Sequence, residues 1–284
     1  MDLQKIKSGK TIKELLEFSI INLDKPSGPT SFQVSQYVKN LLEINKTSHF
    51  GTLDPMVSGV LPVALGRACR LNEWFMHRDK EYTGIMRLHD EVPDELLKEK
   101  IKQFIGKITQ VPPVKSRVKR AERLREVKTF EIIEKNRKDI LFKTKVQAGT
   151  YIRKLIHDIG KEIGGAHMLE LRRIKAGMFD ENKSVNLYEF DRAVEEYRKG
   201  NEELLIKILI PADKAIQEVL PRTNVVKISV SGLLRGKPLM MKDLDKKNLP
   251  SEDSFIIFSE EKFIGVYKKS DEGIIIARPE FVFN

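Results

Sequence analysis

Asp54 lies in the run His49-Phe50-Gly51-Thr52-Leu53-Asp54-Pro55-Met56-Val57-Ser58-Gly59, between an apolar residue and a proline, with glycines near both ends. Pro55 fixes its own φ and biases Asp54 away from helical geometry, so this carboxylate is carried on a stiff backbone. Asp-Pro pairs also serve in ordinary turns. Far along the chain, Gly149-Thr150-Tyr151-Ile152-Arg153-Lys154-Leu155 opens a predicted helix whose apolar face is Ile152, Leu155, Ile156 and Ile159. That places Arg153 in the first turn, where a cation opposes the helix dipole and calls for an anion. A carboxylate such as Asp54 would serve, and the arginine would favour its charged form and aim it. A fixed, ionised carboxylate is the chemistry these segments offer; the plain alternative is a turn aspartate and an exposed arginine.

Other segments must hold these two. Residues 19–23 read as a short buried strand that runs into the turn Asp24-Lys25-Pro26-Ser27-Gly28-Pro29. Thr30 or Ser31 then caps a helix with Val34, Tyr37, Val38, Leu41 and Leu42 at helical spacing. Residues 47–59 read as loop, 67–77 as a helix, 82–88 as a strand, and 93–105 as a helix stopped by Gly106. Two strands follow at 127–133 and 140–147, then a helix over 150–163 ended by Gly164-Gly165. Two or three more helices cover 187–219 and close at Pro221. From there the pattern changes to short β-like runs at 225–230, 255–258, 263–267 and 273–276, a small all-β domain with its boundary near 221.

The net charge of +10 and pI near 9.4 favour a polyanionic partner, because Lys and Arg that bind phosphates release condensed counterions. A simply soluble, lysine-rich surface has the same composition. A single cysteine, Cys69, excludes an intrachain disulfide and a Cys-cluster zinc site. The five histidines are too scattered for a local ligand pair, so no metal is expected. There is no apolar run of signal-peptide or membrane-span length, so the expectation is a cytoplasmic protein with no membrane partner.

Five segments, in order, carry a family resemblance. Asp24-Lys25-Pro26-Ser27-Gly28-Pro29-Thr30-Ser31 is similar to the opening motif of the TruB/dyskerin family of pseudouridine synthases. Gly51-Thr52-Leu53-Asp54-Pro55 with Ser58-Gly59 resembles its catalytic motif, and Lys80-Glu81-Tyr82 its tyrosine motif. Gly149 to Arg153 with Leu155, and Leu171-Arg172-Arg173, resemble the two later motifs. Gln110-Val111-Pro112-Pro113 through Arg125, and Gly165-Ala166-His167-Met168, are most like the archaeal guide-RNA-dependent branch.

The resemblance implies an α+β fold: a mixed, mainly antiparallel sheet flanked by helices (the pseudouridine synthase fold), with a small C-terminal PUA-like domain. In domain terms, residues 1–18 would be an arm packing on the C-terminal domain, 19–221 the catalytic domain, and 222–284 a short PUA-like RNA-binding domain. It also implies an isomerase of uridine that needs no cofactor, since no electrons are exchanged overall and no group leaves the site. Asp54 would be nucleophile or base, and Tyr82 would stack on the flipped base or assist proton transfer. Leu171 would close the apolar side, His49 would wedge into the vacated space, and Lys25 would contact substrate.

The basic run Lys115, Arg117, Lys119, Arg120 would track phosphates, joined by Arg172 and Arg173. In isolation such a run is a solvated face. The implied partners are H/ACA guide RNA, ribosomal RNA or tRNA substrate, and small accessory proteins of the ribonucleoprotein. A stand-alone tRNA T-loop synthase and a non-catalytic RNA-binding scaffold are the alternatives.

Overall fold

A computed structural model describes residues 9–112, 120–246 and 249–284. Ten strands form the main sheet: β1 (Ser19–Lys25), β2 (Thr47–His49), β3 (Ser58–Leu65), β4 (Lys80–Leu88), β5 (Gly106–Gln110), β6 (Arg123–Asn136), β7 (Asp139–Val146), β8 (Ala166–Ala176), β9 (Phe179–Asp180) and β10 (Leu209–Pro211). Their order is β10-β1-β3-β8-β4-β7-β6-β5, with β2 added to β3 and β9 to β8. The pairings are antiparallel except β3 with β8, which runs parallel and sets Ser58 opposite Arg172 and Gly59 opposite Arg173. The fold is thus the mixed, mainly antiparallel α+β sheet that was expected.

Helices α1 (Ile12–Glu17), α2 (Ser31–Leu41), α3 (Asn72–Met76), α4 (Asp94–Gln103), α5 (Ile152–Lys161), α6 (Leu187–Arg198), α7 (Glu203–Ile208) and α8 (Ala212–Ala215) flank it. Capping boxes start three of them: Thr11 with Glu14, Thr30 with Gln33, and Asn186 with Glu189. The largest apolar core lies under α2, α5 and α6, with Val34, Val38, Leu155, Ile156, Ile159 and Phe190 packed against Leu61, Tyr82, Met86 and Phe142 of the sheet.

A second, five-stranded sheet follows: β11 (Arg222–Asn224), β12 (Leu239–Met240), β13 (Ser254–Ser259), β14 (Lys262–Glu272) and β15 (Ile275–Val282), in the order β11-β13-β14-β15-β12. One of its faces buries Phe258, Phe263, Val266 and Phe281 in a cluster shared with Phe18, Phe50, Phe75 and Phe179. Phe18 stacks on Phe283 at 4.2 Å and Phe263 at 5.6 Å, and Lys10 reaches Asp213 at 2.7 Å. The other face builds its own core from Val225, Leu233, Phe255, Ile257 and Tyr267.

Three local expectations change. The helix expected at 67–77 is a 3-10 stretch, Gly66–Leu71, followed by the short α3, because Gly66 enters at φ +54 hard against the Glu17 carbonyl. Residues 225–230 are not a strand. Buried Asp243 accepts from Ser229 Oγ at 2.7 Å, and its carbonyl accepts from Val226 N, winding 227–229 into a 3-10 turn that leads into α9 (Val230–Leu234). The loop expected at 47–59 is bounded by β2 and the start of β3.

Candidate active site

The loop between β2 and β3 carries Asp54, and both of its chain neighbours are pinned. Ser31 Oγ accepts from Leu53 N at 2.8 Å and donates to Leu53 O at 2.9 Å. On the other side, the Pro55 carbonyl accepts from Lys25 Nζ at 3.0 Å and from Gly28 N at 2.9 Å. Val57 N closes a turn onto Asp54 O at 3.0 Å. The carboxylate therefore stands on a backbone held by the turn at residues 26–29 and the start of α2.

Arg153 is held as firmly from the far side. Gln110, almost wholly buried at the end of β5, donates to Tyr151 O at 3.2 Å and accepts from Tyr151 N at 3.0 Å. Thr150 Oγ1 donates to Gln147 O at 2.8 Å. These bonds fix the entry to α5, whose apolar face is sunk in the core. Arg153 Nη2 then meets Asp54 Oδ2 at 2.5 Å. Both side chains are about half exposed, so the pair faces solvent.

Tyr82 and Leu171 lie on the adjoining strands β4 and β8, both largely buried, with Leu171 directly across from Gly84. A Cβ on Gly84 would stand 3.1 Å from Leu171 Cδ1, so the glycine gives that side chain room. His49 ends β2, and its Nε2 lies 3.2 Å from Thr52 Oγ1. Burial first, and then the charge of Arg173, lower its pKa, which keeps the ring neutral at pH 7.

Three of the residues expected to touch RNA or substrate do something else. Lys25 is fully buried, and its ammonium donates to Pro26 O, Pro29 O and Pro55 O at 2.7, 2.8 and 3.0 Å. With all three donors used, it is an internal pin of the Asp54 loop and not a substrate contact. Arg173 is 1% exposed and donates to Val60 O and Gly51 O at 2.8 and 2.9 Å, so no phosphate reaches it. Arg172 is only partly open, gripping Asp24 with both terminal nitrogens at 2.9 Å and Glu181 through Nε at 2.9 Å. Two carboxylates already neutralise it, which removes the reason to count it among phosphate contacts. Arg120 is exposed. Lys115, Arg117 and Lys119 lie outside the described residues.

Lys80 has a part that its place in the Lys80-Glu81-Tyr82 segment did not assign to it. It is 5% exposed, donates to Met76 O and Arg78 O, and burial followed by the nearby Arg173 charge pushes its pKa down to about 8. The signal was present: Lys80, Tyr82, Gly84, Met86 and Leu88 alternate on the inward face of β4. Among the described residues, no three His, Cys, Asp or Glu side chains are grouped to share a metal ion, and no helix is long and apolar enough to cross a membrane.

Residues 39–152 match the profile of the TruB family pseudouridylate synthase N-terminal domain, and residues 153–217 that of the tRNA pseudouridylate synthase B C-terminal domain. "Probable tRNA pseudouridine synthase B" of Nanoarchaeum equitans is 42% identical over 239 residues, 84% of this chain and 68% of that protein. The chain belongs to the TruB family of pseudouridine synthases. The protein of the same name from Thermococcus onnurineus is 45% identical over 81% of this chain and 70% of its own length. Among solved structures, a Cbf5-Nop10-Gar1 complex aligns with a TM-score of 0.88 at 36% identity, over 98% of this chain and 88% of that one. An H/ACA RNP bound to a substrate RNA containing 2'-deoxyuridine aligns with a TM-score of 0.86 at 35% identity, covering 98% and 89%.

A TruB-family enzyme is an isomerase. It breaks the C1′–N1 bond of uridine, turns the base and joins C1′ to C5, with the C5 proton lost and one gained at N1. Atoms and electrons balance within the nucleoside.

Proposed function

We propose that this TruB-family chain is the catalytic subunit of an H/ACA ribonucleoprotein, isomerising uridines of ribosomal RNA selected by a guide RNA, in the cytoplasm. The observation that carries the reading is coverage: the Cbf5 likeness extends over 98% of the chain, so it includes the C-terminal sheet as well as the catalytic one. Small accessory proteins of the Nop10 and Gar1 kind are the corresponding protein partners.

In this reading Asp54 is the nucleophile toward the nucleoside or the base that removes a sugar proton, Arg153 aims it, and Tyr82 and Leu171 border the flipped uracil. His49 enters the space the base leaves. The C-terminal domain holds the guide. A 640 Å³ open pocket there is lined by Lys227, Arg235 and Lys262 beside the acidic Glu260, with Val230 and Leu234 as its apolar side. The three cations suit contacts to the phosphates of an RNA strand.

A second reading, a stand-alone synthase acting on the tRNA T-loop, is favoured by the names of the curated relatives and by the match at residues 153–217. The deciding experiment measures pseudouridine in a ribosomal RNA fragment with and without guide RNA and accessory proteins, and in unmodified tRNA without a guide. Guide-dependent modification of the ribosomal fragment is expected. Full turnover on tRNA alone, with none on guided ribosomal RNA, would favour the second reading and reject the first.

A further inference from the structure

Arg173 is a buried cation with no acidic partner among the described residues. Its guanidinium lies under the Asp54 loop, 2.9 Å from the Gly51 carbonyl and 2.8 Å from that of Val60. A Cβ on Gly51 would stand 3.5 Å from Arg173 Nη1 and 3.6 Å from Lys80 Cε, so the two cations flank one glycine. Across the sheet, Arg173 on β8 is the direct partner of Tyr82 on β4. We propose that Arg173 is a positioning residue which holds the backbone of the Asp54 loop and the ring of Tyr82 in one register.

Two observations set this apart from ordinary packing. A neutral donor would satisfy two carbonyls without the cost of desolvating a charge, yet the site keeps a guanidinium and places Lys80 beside it. Second, the same charge reaches other groups of the site: burial first, and then Arg173, lowers the pKa of Lys25, His49 and Lys80, while the Tyr82 hydroxyl opposes the effect of burial on Arg173 itself. A planar fork reaches two carbonyls and leaves an edge for the phenol, whereas an ammonium lacks that reach.

The inference rests on the assignment of Asp54 and Tyr82 to the reaction. Its test measures the single-turnover rate and RNA affinity of Arg173→Lys and Arg173→Met, each alone and with Tyr82→Phe, beside Asp54→Asn as control. With RNA affinity unchanged, Arg173→Met is expected to slow the reaction about a hundredfold, the size of effect that misplacing reacting groups by an ångström produces. Arg173→Lys should recover part of that rate, and both substitutions should cost less when Tyr82 is already Phe. Three results would overturn the proposal: a wild-type rate in both variants, a loss that follows RNA affinity, or failure of the milder Arg173→Lys to fold, which would mark a structural pin only. If Asp54→Asn keeps the wild-type rate, it is the site assignment that fails, independently of Arg173.

Discussion

Arg153 touches Asp54 through one nitrogen and one oxygen: Nη2 donates to Oδ2 at 2.5 Å, across 99 positions of sequence. The other carboxylate oxygen accepts no hydrogen bond from any described residue. Because both side chains are about half exposed, the pair adds little to stability. Its geometry instead leaves one oxygen of a directed carboxylate open to whatever enters from solvent. The stiffness comes from behind, from Ser31, Lys25 and Gln110, whose bonds are to backbone and not to the carboxylate itself.

Lys25 is the clearest of these supports. Replacing it with Met keeps much of its volume but leaves the carbonyls of Pro26 and Pro29 without their buried donor and that of Pro55 with Gly28 N alone. Lys25→Met is expected to lose about 3 kcal/mol of stability, as for a broken buried polar network. Chemical denaturation read by circular dichroism checks this, and turnover should fall even at temperatures where the variant is folded.

Gly59 sits at φ +103, and a Cβ there would lie 2.2 Å from the Arg173 carbonyl. The clash is with backbone at the one parallel seam of the sheet, so no side chain can move to relieve it. Gly59→Ala should cost more than about 3 kcal/mol. A melting temperature within a degree or two of wild type would contradict the close approach of β3 and β8.

Lys80 gives a pH dependence with a definite sign. Its folded pKa, about 8, is below the ordinary 10.5, so between these values the unfolded chain holds a proton that the folded one has released. Stability from this group therefore rises as pH climbs through that window, by about 3 kcal/mol at about 1.4 kcal/mol per pH unit. The measurement is the difference in unfolding free energy between wild type and Lys80→Met at pH 7.5 and 10. Wild type should gain on the variant as pH rises; a constant difference would mean Lys80 titrates normally.

The sequence made part of this arrangement legible. A helix-opening arginine requires an anion, and a proline-stiffened aspartate supplies one; that reasoning joins Arg153 to Asp54 without a structure. The helix from Ser31 is legible in its capping residue, and β4 in its alternation. What escaped was β8. Glu170, Arg172, Arg173 and Lys175 break any apolar alternation there, since two of the charges are satisfied within the fold, by carboxylates for Arg172 and by carbonyls for Arg173. The same cause misassigned Lys25 to a substrate contact and Arg173 to the RNA surface: residue type points outward, whereas a ring of backbone carbonyls turns the charge inward. No single-residue pattern encodes where such a ring will close, because it forms from the turn after β1, the Asp54 loop and β3 only after the strands pair.

The most direct test of the account is pseudouridine formation by wild type and Asp54→Asn in the assembly that proves active, with RNA binding measured on the same samples. Loss of detectable turnover with RNA affinity unchanged is the predicted result. Wild-type turnover by Asp54→Asn would contradict the assignment of the reaction to this carboxylate.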